Sequence, residues 1–574
     1  MKDLLTTKLF TVMTGYIPGM AGMRYPVGVS RLVVMCCLAG MVLSSAAVCA
    51  QGPVLTPGAY KHYTDTFNAY DQQLYPQAIP NDSSWAFLSK NIPLLDCPDK
   101  QLEQTYYFRW WTYRKHIRKT PEGFVILEFL PDVSWAGKYN TINCAASLHV
   151  YEGRWLHDQQ FINDYEKFWF RGGGDRSAYS SWMADAIWNQ ALVTGDRKLA
   201  EDLEGDLIND YRDREKNNLD GNGLYWQYPG KDGMECAIGG GMKPGMKEDE
   251  APDNPGYRAT INAYQYANAM AIARIAGWEG RKEITDLFLA KAGALQRNLQ
   301  EKLWDDTGRF FKVMERRGGA GTLLCSAREL HGYTPWYFNM PAARYSVAWK
   351  FLMDPHYFYA PYGPTTAEQG HPDFSISYEG HECQWNGPSW PLATSITLTA
   401  LANLLNNYTQ ACITRADYFK LLLIYSRSQQ RKLSDGRVVP WIDENLNPYT
   451  GDWISRTRLC VWEKGHWSAE KGGVERGKDY NHSTFCDLVI TGLIGIRPAA
   501  DDSLSVNPLV PAGVWDYFCL DNLLYHGKII TVLYDRTGRR YHRGKGLQVW
   551  VDGKRAEGAP VIREVRCRIV SSEW

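Results

Sequence analysis

Ile284-Thr285-Asp286-Leu287-Phe288-Leu289-Ala290-Lys291-Ala292-Gly293-Ala294-Leu295-Gln296-Arg297-Asn298-Leu299-Gln300-Glu301-Lys302-Leu303 sets Ile284, Phe288, Ala292, Leu295, Leu299 and Leu303 three or four residues apart. That spacing is the signature of one buried helix face. Leu102, Tyr106, Trp110, Tyr113 and Ile117 repeat it, and Ser181–Thr194, Thr260–Ala276, Ser389–Asn407, Asp417–Gln430 and Thr484–Ile496 are further helical segments. With weaker candidates the count reaches roughly a dozen. The helices are separated by loops rich in Gly, Pro, Asp and Trp, and no repeat of about 34 or 40 residues links them, which excludes a simple solenoid. The pattern predicts a mainly α chain closed into a helical toroid, with its chemically rich loops converging on one face.

Outward from this helical region the texture changes at both ends. After Pro498, Lys528–Tyr534 and Leu547–Val551 are short β-type runs, bounded by Arg536-Thr537-Gly538 and Asp552-Gly553 turns, so a small β domain is expected at the C-terminal end. At the other end Leu32–Leu43 is apolar, preceded by Arg24 and Arg31 and followed by Ser44-Ser45-Ala46-Ala47-Val48-Cys49-Ala50-Gln51. This reads as a secretory signal cleaved after Ala50, with translation starting at Met1, Met20 or Met23. Lipid attachment at Cys49 is disfavoured by Val48, and the apolar run is too short to span a bilayer. The expected division is a signal over 1–50, an N-terminal extension packing on the barrel over 51–98, a helical catalytic domain over 99–500 and a β domain over 501–574. The protein is expected to be exported, periplasmic or secreted.

The 574 residues carry 63 Lys+Arg against 63 Asp+Glu. Loss of Lys2, Lys8, Arg24, Arg31 and Asp3 with the signal leaves 59 and 62. A near-neutral chain without basic runs lacks the electrostatic footprint for nucleic acid or an anionic membrane surface. The 22 Trp and 35 Tyr are more than a core needs if some of them face a ligand, and most of them are expected to pack inside. Of the 13 Cys, Cys36, Cys37 and Cys49 fall in the signal and the rest are scattered without a Cys-x-x-Cys pair. No zinc cluster is indicated, and most are expected to be buried free thiols. No metal or cofactor is expected.

Three loops carry the chemistry. Gly223-Leu224-Tyr225-Trp226-Gln227-Tyr228-Pro229-Gly230-Lys231-Asp232-Gly233-Met234-Glu235-Cys236 presents Asp232 and Glu235 among aromatics, a setting in which desolvation raises a carboxyl pKa and suits it to general-acid work. Val439-Pro440-Trp441-Ile442-Asp443-Glu444-Asn445-Leu446-Asn447-Pro448-Tyr449-Thr450-Gly451 places Glu444 near Trp441. Glu379-Gly380-His381-Glu382-Cys383-Gln384-Trp385-Asn386-Gly387-Pro388-Ser389-Trp390-Pro391 offers the indoles of Trp385 and Trp390 and the amides of Gln384 and Asn386. Stacking faces beside hydroxyl-directed donors are sugar-binding groups. Any single acidic residue is more often a cap or a solvated loop charge; three such loops together are not explained that way.

These segments resemble the helical-toroid glycosidases that include glycoside hydrolase family 63, trehalases and the bacterial mannosylglycerate hydrolase-like group. Asp232-Gly233-Met234-Glu235, followed by Ile261-Asn262-Ala263-Tyr264-Gln265-Tyr266-Ala267, is similar to the clan's general-acid loop and its Asn-Ala-Tyr helix. Trp385-Asn386-Gly387-Pro388-Ser389-Trp390-Pro391 is similar to its Trp-Arg-Gly-Pro-Ile-Trp-Pro segment, and Glu444-Asn445-Leu446-Asn447-Pro448-Tyr449-Thr450-Gly451 to its base-bearing segment. The resemblance covers Gly223–Gly451 in order and implies an (α/α)6 toroid that hydrolyses O-glycosidic bonds of oligo- or polysaccharides with inversion. It places the acid at Glu235 and the base at Glu444, with Asp232 as rival acid. Glu235 stands where the clan has Asp and Asn386 where it has Arg, so substrate identity does not transfer.

Phe170-Arg171-Gly172-Gly173-Gly174-Asp175-Arg176 lacks the ending and the βαβ setting of a phosphate loop. Arg171 and Asp175 either contact sugar or brace a loop by ion pairing. His482, in Asp479-Tyr480-Asn481-His482-Ser483-Thr484, is either a subsite residue or a structural histidine. A lyase or epimerase on a similar toroid would instead centre on Tyr333, His371 or His482, and a carbohydrate-binding protein would need no paired carboxyls.

Overall fold

The computed structural model describes residues 52–246, 252–316, 323–378, 383–457 and 475–569. The expected signal at 1–50, Cys460 and the Glu379–Glu382 part of the third loop lie outside the described residues.

The protein is an (α/α)6 toroid with a small C-terminal β domain. Six segments form the inner ring, each packed on the next: Ala146–Gly153, Met183–Thr194, Ala259–Trp278, Thr334–Tyr337, Pro391–Asn407 and the turn at Leu488–Leu493. They are buried on nearly every face, as helices that are apolar all round must be. Ala259–Trp278 is the clearest case, because its many alanines let three neighbouring helices approach closely. Six outer segments follow them: Gln160–Arg171, Lys198–Asn218, Lys282–Lys302, the 3-10 segment Ala343–Phe351, Arg415–Ser428 and Lys100–Lys115. Lys282–Lys302 buries Phe288, Ala292, Leu295 and Leu299 while Leu287 and Leu289 stay exposed, as its spacing predicts.

Polar groups close both rings. On the inner ring, Glu152 accepts from the backbone N–H groups of Phe485 (3.1 Å), Cys486 (2.8 Å) and Asp487 (2.8 Å), so the first inner helix caps the start of the last; a cap of this kind is worth about 0.5–2 kcal/mol. On the outer ring, Thr105 and Ser426 share a hydroxyl–hydroxyl bond of 2.9 Å, and Arg109 reaches Tyr425 and Gln429.

The expected helix over Thr484–Ile496 is instead a π-helical turn at Leu488–Leu493, with Ile494 N donating to Val489 O at 2.8 Å. Tyr418 packs against this turn, its hydroxyl donating to Leu488 O (2.9 Å) and occupying the place a side chain at Gly492 would take. Likewise the Leu102 helix ends at Lys115, and Ile117 opens a hairpin with Gly123–Ile126.

At the C-terminal end a five-stranded antiparallel sheet runs in the order Leu94–Asp96, Tyr517–Tyr525, Lys528–Asp535, Gly546–Val551, Lys554–Ala559. The tight turn at Asp552 (φ 47°) and Gly553 (φ 72°) joins the last two strands, as an Asp-Gly pair does in a hairpin. The 51–98 segment packs Lys61–Tyr70 on Lys100–Lys115 and also supplies the edge strand, pairing Leu94 with Asp521. Residues 51–574 thus form one unit.

Candidate active site

One mouth of the toroid, where the inner segments begin, holds a cavity of about 320 Å³. Its walls include residues just ahead of four of those segments, Ile142 and Cys144, Tyr179, Trp390, and Tyr480 and His482, and Gly233 and Glu235 of the loop that precedes Ala259–Trp278. N-terminal helix ends carry partial positive charge, which favours acidic side chains there. Three carboxyls line the cavity: Glu235, Glu444 and Glu128.

Glu235 sits on a loop held in place by its neighbours. Three residues earlier, Asp232 is buried; its Oδ2 accepts from Arg258 Nε at 3.0 Å and from the Thr260 hydroxyl, and both members of the Asp232–Arg258 pair are fully enclosed. This pair ties the loop to the start of Ala259–Trp278. Gly233 adopts φ +69° where a Cβ would collide with Cys144 Sγ, and Cys236 adopts φ +56°, a conformation that non-glycine residues hold only under constraint. Glu235 is half-buried at the cavity wall.

Glu444 is buried, and Arg476 Nε donates to its Oε1 at 2.7 Å. Cys383 Sγ lies 3.7 Å from Oε2. Asp443 accepts from Glu444 N (2.8 Å) and Ser455 Oγ (3.0 Å), which sets the backbone at Glu444; burial raises the Asp443 pKa. Reciprocal backbone bonds between Ser389 and Leu446 (3.0 and 2.9 Å) join this loop to the Trp390 loop.

Trp390 precedes Pro391, a proline at the first helical turn, where its fixed φ suits helix initiation. Trp390 Nε1 donates to Gln384 O at 2.7 Å, and Trp385 stacks on its ring with centroids 4.6 Å apart. His482 packs on Tyr480 (3.7 Å) and Trp390 (5.9 Å), and neither ring nitrogen has a hydrogen-bond partner among the described residues. Burial, then the nearby Arg109 and His149 charges, hold its pKa well below the usual value, so the ring is neutral, one nitrogen a donor and the other an acceptor.

The predicted residues thus divide. Glu235, Glu444, Trp390 and His482 meet in the cavity. Trp385, Gln384 and Asn386 do not line it: Trp385 and Gln384 buttress Trp390 from behind, and Asn386, fully buried, donates to Asp373 O at 3.2 Å. Asp232 is a brace rather than a wall residue. Trp441 stacks between Arg431 (4.7 Å) and Arg456 (5.0 Å) and lines a separate small cavity with Phe67 and Tyr70. Of the two roles open to Arg171 and Asp175, the structure shows the bracing one and places neither at the cavity. Exposed Arg171 pairs with Asp202 (2.6 Å) and Asp206 (2.8 Å) of Lys198–Asn218, and exposed Asp175 accepts from Ser177 within its own turn. Both brace loops, because the apolar face of Gln160–Arg171 turns inward and leaves Arg171 on the solvent side. Tyr333 bonds Ala348 O and His371 bonds Ser326; neither lines the cavity.

Sequence reasoning missed Glu128, Trp135, Arg476 and Tyr480. Glu128 had a legible signal, an acidic residue directly after the apolar run Phe124-Val125-Ile126-Leu127. Trp135, 39% exposed at the rim, and Arg476, with Trp135 and Phe129 rings 5.4 and 5.7 Å from its guanidinium, had none. Among the described residues no group of three His, Cys, Asp or Glu is placed to hold a metal ion, no helix is long and apolar enough to cross a membrane, and nine cysteines are free thiols.

Paired carboxyls and indoles thus gather at one mouth of an (α/α)6 toroid. Residues 138–483 match the family described as the mannosylglycerate hydrolase MGH1-like glycoside hydrolase domain, and 496–557 match the glycosyl hydrolase family 65 C-terminal domain. The chain belongs to the MGH1-like glycoside hydrolase family. A solved structure named "Sialidase" is 40% identical over 91% of this chain with TM-score 0.80, and the match spans 45% of that protein's length. A family 78 rhamnosidase from a Bacillus species shares the fold at 12% identity over 83% of this chain and 43% of its own, TM-score 0.50. A family 63 mannosylglycerate hydrolase from Thermus thermophilus is 12% identical over 62% of this chain and 99% of its own, TM-score 0.44.

Proposed function

We propose that the protein is an exported, inverting glycoside hydrolase that cleaves O-glycosidic bonds of oligo- or polysaccharides, with Glu235 as general acid and Glu444 as general base. The observation that carries this reading is that the two residues, 209 positions apart in sequence, line one cavity beside the Trp390 indole. Glu235 protonates the departing glycosidic oxygen while Glu444 takes a proton from a water attacking the opposite face of the anomeric carbon. The ion pair with Arg476 suits Glu444 to the carboxylate form that a base needs. Trp390 and the half-exposed Trp135 offer apolar faces for sugar rings, and neutral His482 can hydrogen-bond a hydroxyl. The name "Sialidase" is not carried over, because more than half of that protein lies beyond the matched region.

Proton NMR of freshly formed product is expected to show inversion at the anomeric centre; retention would sink the assignment of Glu444 as base. Export with cleavage after Ala50 predicts Gln51 as the mature amino terminus, read by mass spectrometry of the extracytoplasmic fraction. An intact leader, or a lipid on Cys49, would refute it.

A further inference from the structure

The cavity contains one more carboxyl than acid–base hydrolysis uses. Glu128 is 5% exposed, its Oε1 accepts from the Tyr480 hydroxyl, and its Oε2 has no hydrogen-bond partner among the described residues. Asn481 N donates to the Glu128 carbonyl at 3.1 Å, so the residue is also fixed through its backbone. Arg476, the cation lining this cavity among the described residues, is engaged by Glu444. With Glu235 protonated as the acid, Glu128 and Glu444 still share a space of about 320 Å³ in which Arg476 is the one arginine among the described lining residues, and Glu128, the buried carboxyl that Arg476 does not pair with, is the costlier of the two to ionise. A protonated carboxyl has one O–H donor.

We propose that Glu128 stands in the sugar site as a neutral carboxylic acid, its Oε1 held by Tyr480 and its Oε2–H donating to one hydroxyl of the bound sugar. The proposal rests on the glycosidase reading and adds a further binding residue to that site, a hydrogen-bond donor that selects a sugar presenting a hydroxyl at that position. Burial above all, with the charge of Glu444 added, pushes the Glu128 pKa up to about 8, against the lowering effect of the Tyr480 bond and Arg476. The other titratable groups around it do not offset this: burial keeps the Cys144 thiol and the Tyr165, Tyr179 and Tyr480 phenols in their neutral forms, and His482 is neutral. A site built to pair with a hydroxyl rejects a substrate lacking it, because its own buried group is then left unsatisfied.

The first test does not need a cleaved substrate. The infrared difference between the wild-type protein and Glu128→Gln at pH 6 is expected to contain the carbonyl stretch of a protonated carboxylic acid, fading as pH rises through about 8. Absence of that band overturns the proposal whether or not a cleaved glycoside has been found, which separates its failure from failure of the glycosidase reading. On an aryl glycoside that the wild type cleaves, Glu128→Gln, whose amide retains a donor, is expected to keep kcat/KM within about 10-fold, and Glu128→Ala to lose about 10–10²-fold. The Ala penalty should vanish on the one monodeoxy glycoside that lacks the partner hydroxyl. An equal penalty on every deoxy analogue, or a Glu128→Gln loss on an unactivated linkage as deep as the loss of about 10²-fold or more expected there of Glu235→Gln, would assign Glu128 a structural or proton-transfer role instead.

Discussion

Glu444→Gln is expected to lower kcat by about 10²–10⁴-fold on every glycoside the enzyme cleaves, because water activation is needed whatever the leaving group. The amide oxygen still accepts from Arg476, which donates to Glu444 Oε1 in the wild-type site, so the variant should fold, and circular dichroism with gel filtration verifies that it does. KM should change little, since the side chain keeps its size and the cavity wall its shape. Azide, a small nucleophile that needs no deprotonation, is expected to restore turnover in this variant by attacking the anomeric carbon in place of water. A loss below about tenfold on both activated and unactivated glycosides would remove Glu444 from the role of base.

The second large effect separates two acids three residues apart. Glu235→Gln should lower kcat/KM by about 10²–10⁴-fold on natural linkages, where the leaving oxygen needs a proton, and far less on aryl glycosides whose leaving groups depart without one. Its unfolding should match the wild type, because Glu235 sits half-buried at the cavity wall. Asp232→Asn should do the reverse. Asp232 and Arg258 are both fully enclosed, and removing one member of such a pair strands the other's charge, a loss of about 3–5 kcal/mol. Denaturant unfolding reads that loss as a lower midpoint. If instead Asp232→Asn unfolds normally while losing activity on unactivated substrates only, the acid is Asp232.

The placement of these residues shows where reading a sequence succeeds. Glu235, Glu444, Trp390 and His482 were legible because each stands in a short stretch whose residue types make sense together, and all four reach the same cavity. Trp385, Gln384, Asn386 and Trp441 carry the same composition, yet none of them lines that cavity. An indole or an amide looks alike in sequence whether it faces a ligand or braces the residue that does. Arg171 and Asp175 failed for a different reason: their loop lies at the end of an outer helix, where exposed arginines find aspartates on the neighbouring helix.

The sequence by itself determined the helices and the order of the three chemical loops, since periodicity and turn residues act over spans that a single stretch contains. It determined the β runs at Lys528 and Leu547 in the same way. Only the tertiary structure decided that Leu94–Asp96 joins the C-terminal sheet, that Tyr418 packs on a π turn at Leu488–Leu493, and that Asp232 is a brace. It alone brought Glu128, Arg476 and Tyr480 to Glu235 and Glu444. Those outcomes depend on contacts between residues far apart in the chain, where burial and charge are set by neighbours that no local pattern names; ring closure, with Glu152 capping residues 485–487, is what brings the Tyr480–His482 loop to the same cavity as Glu235.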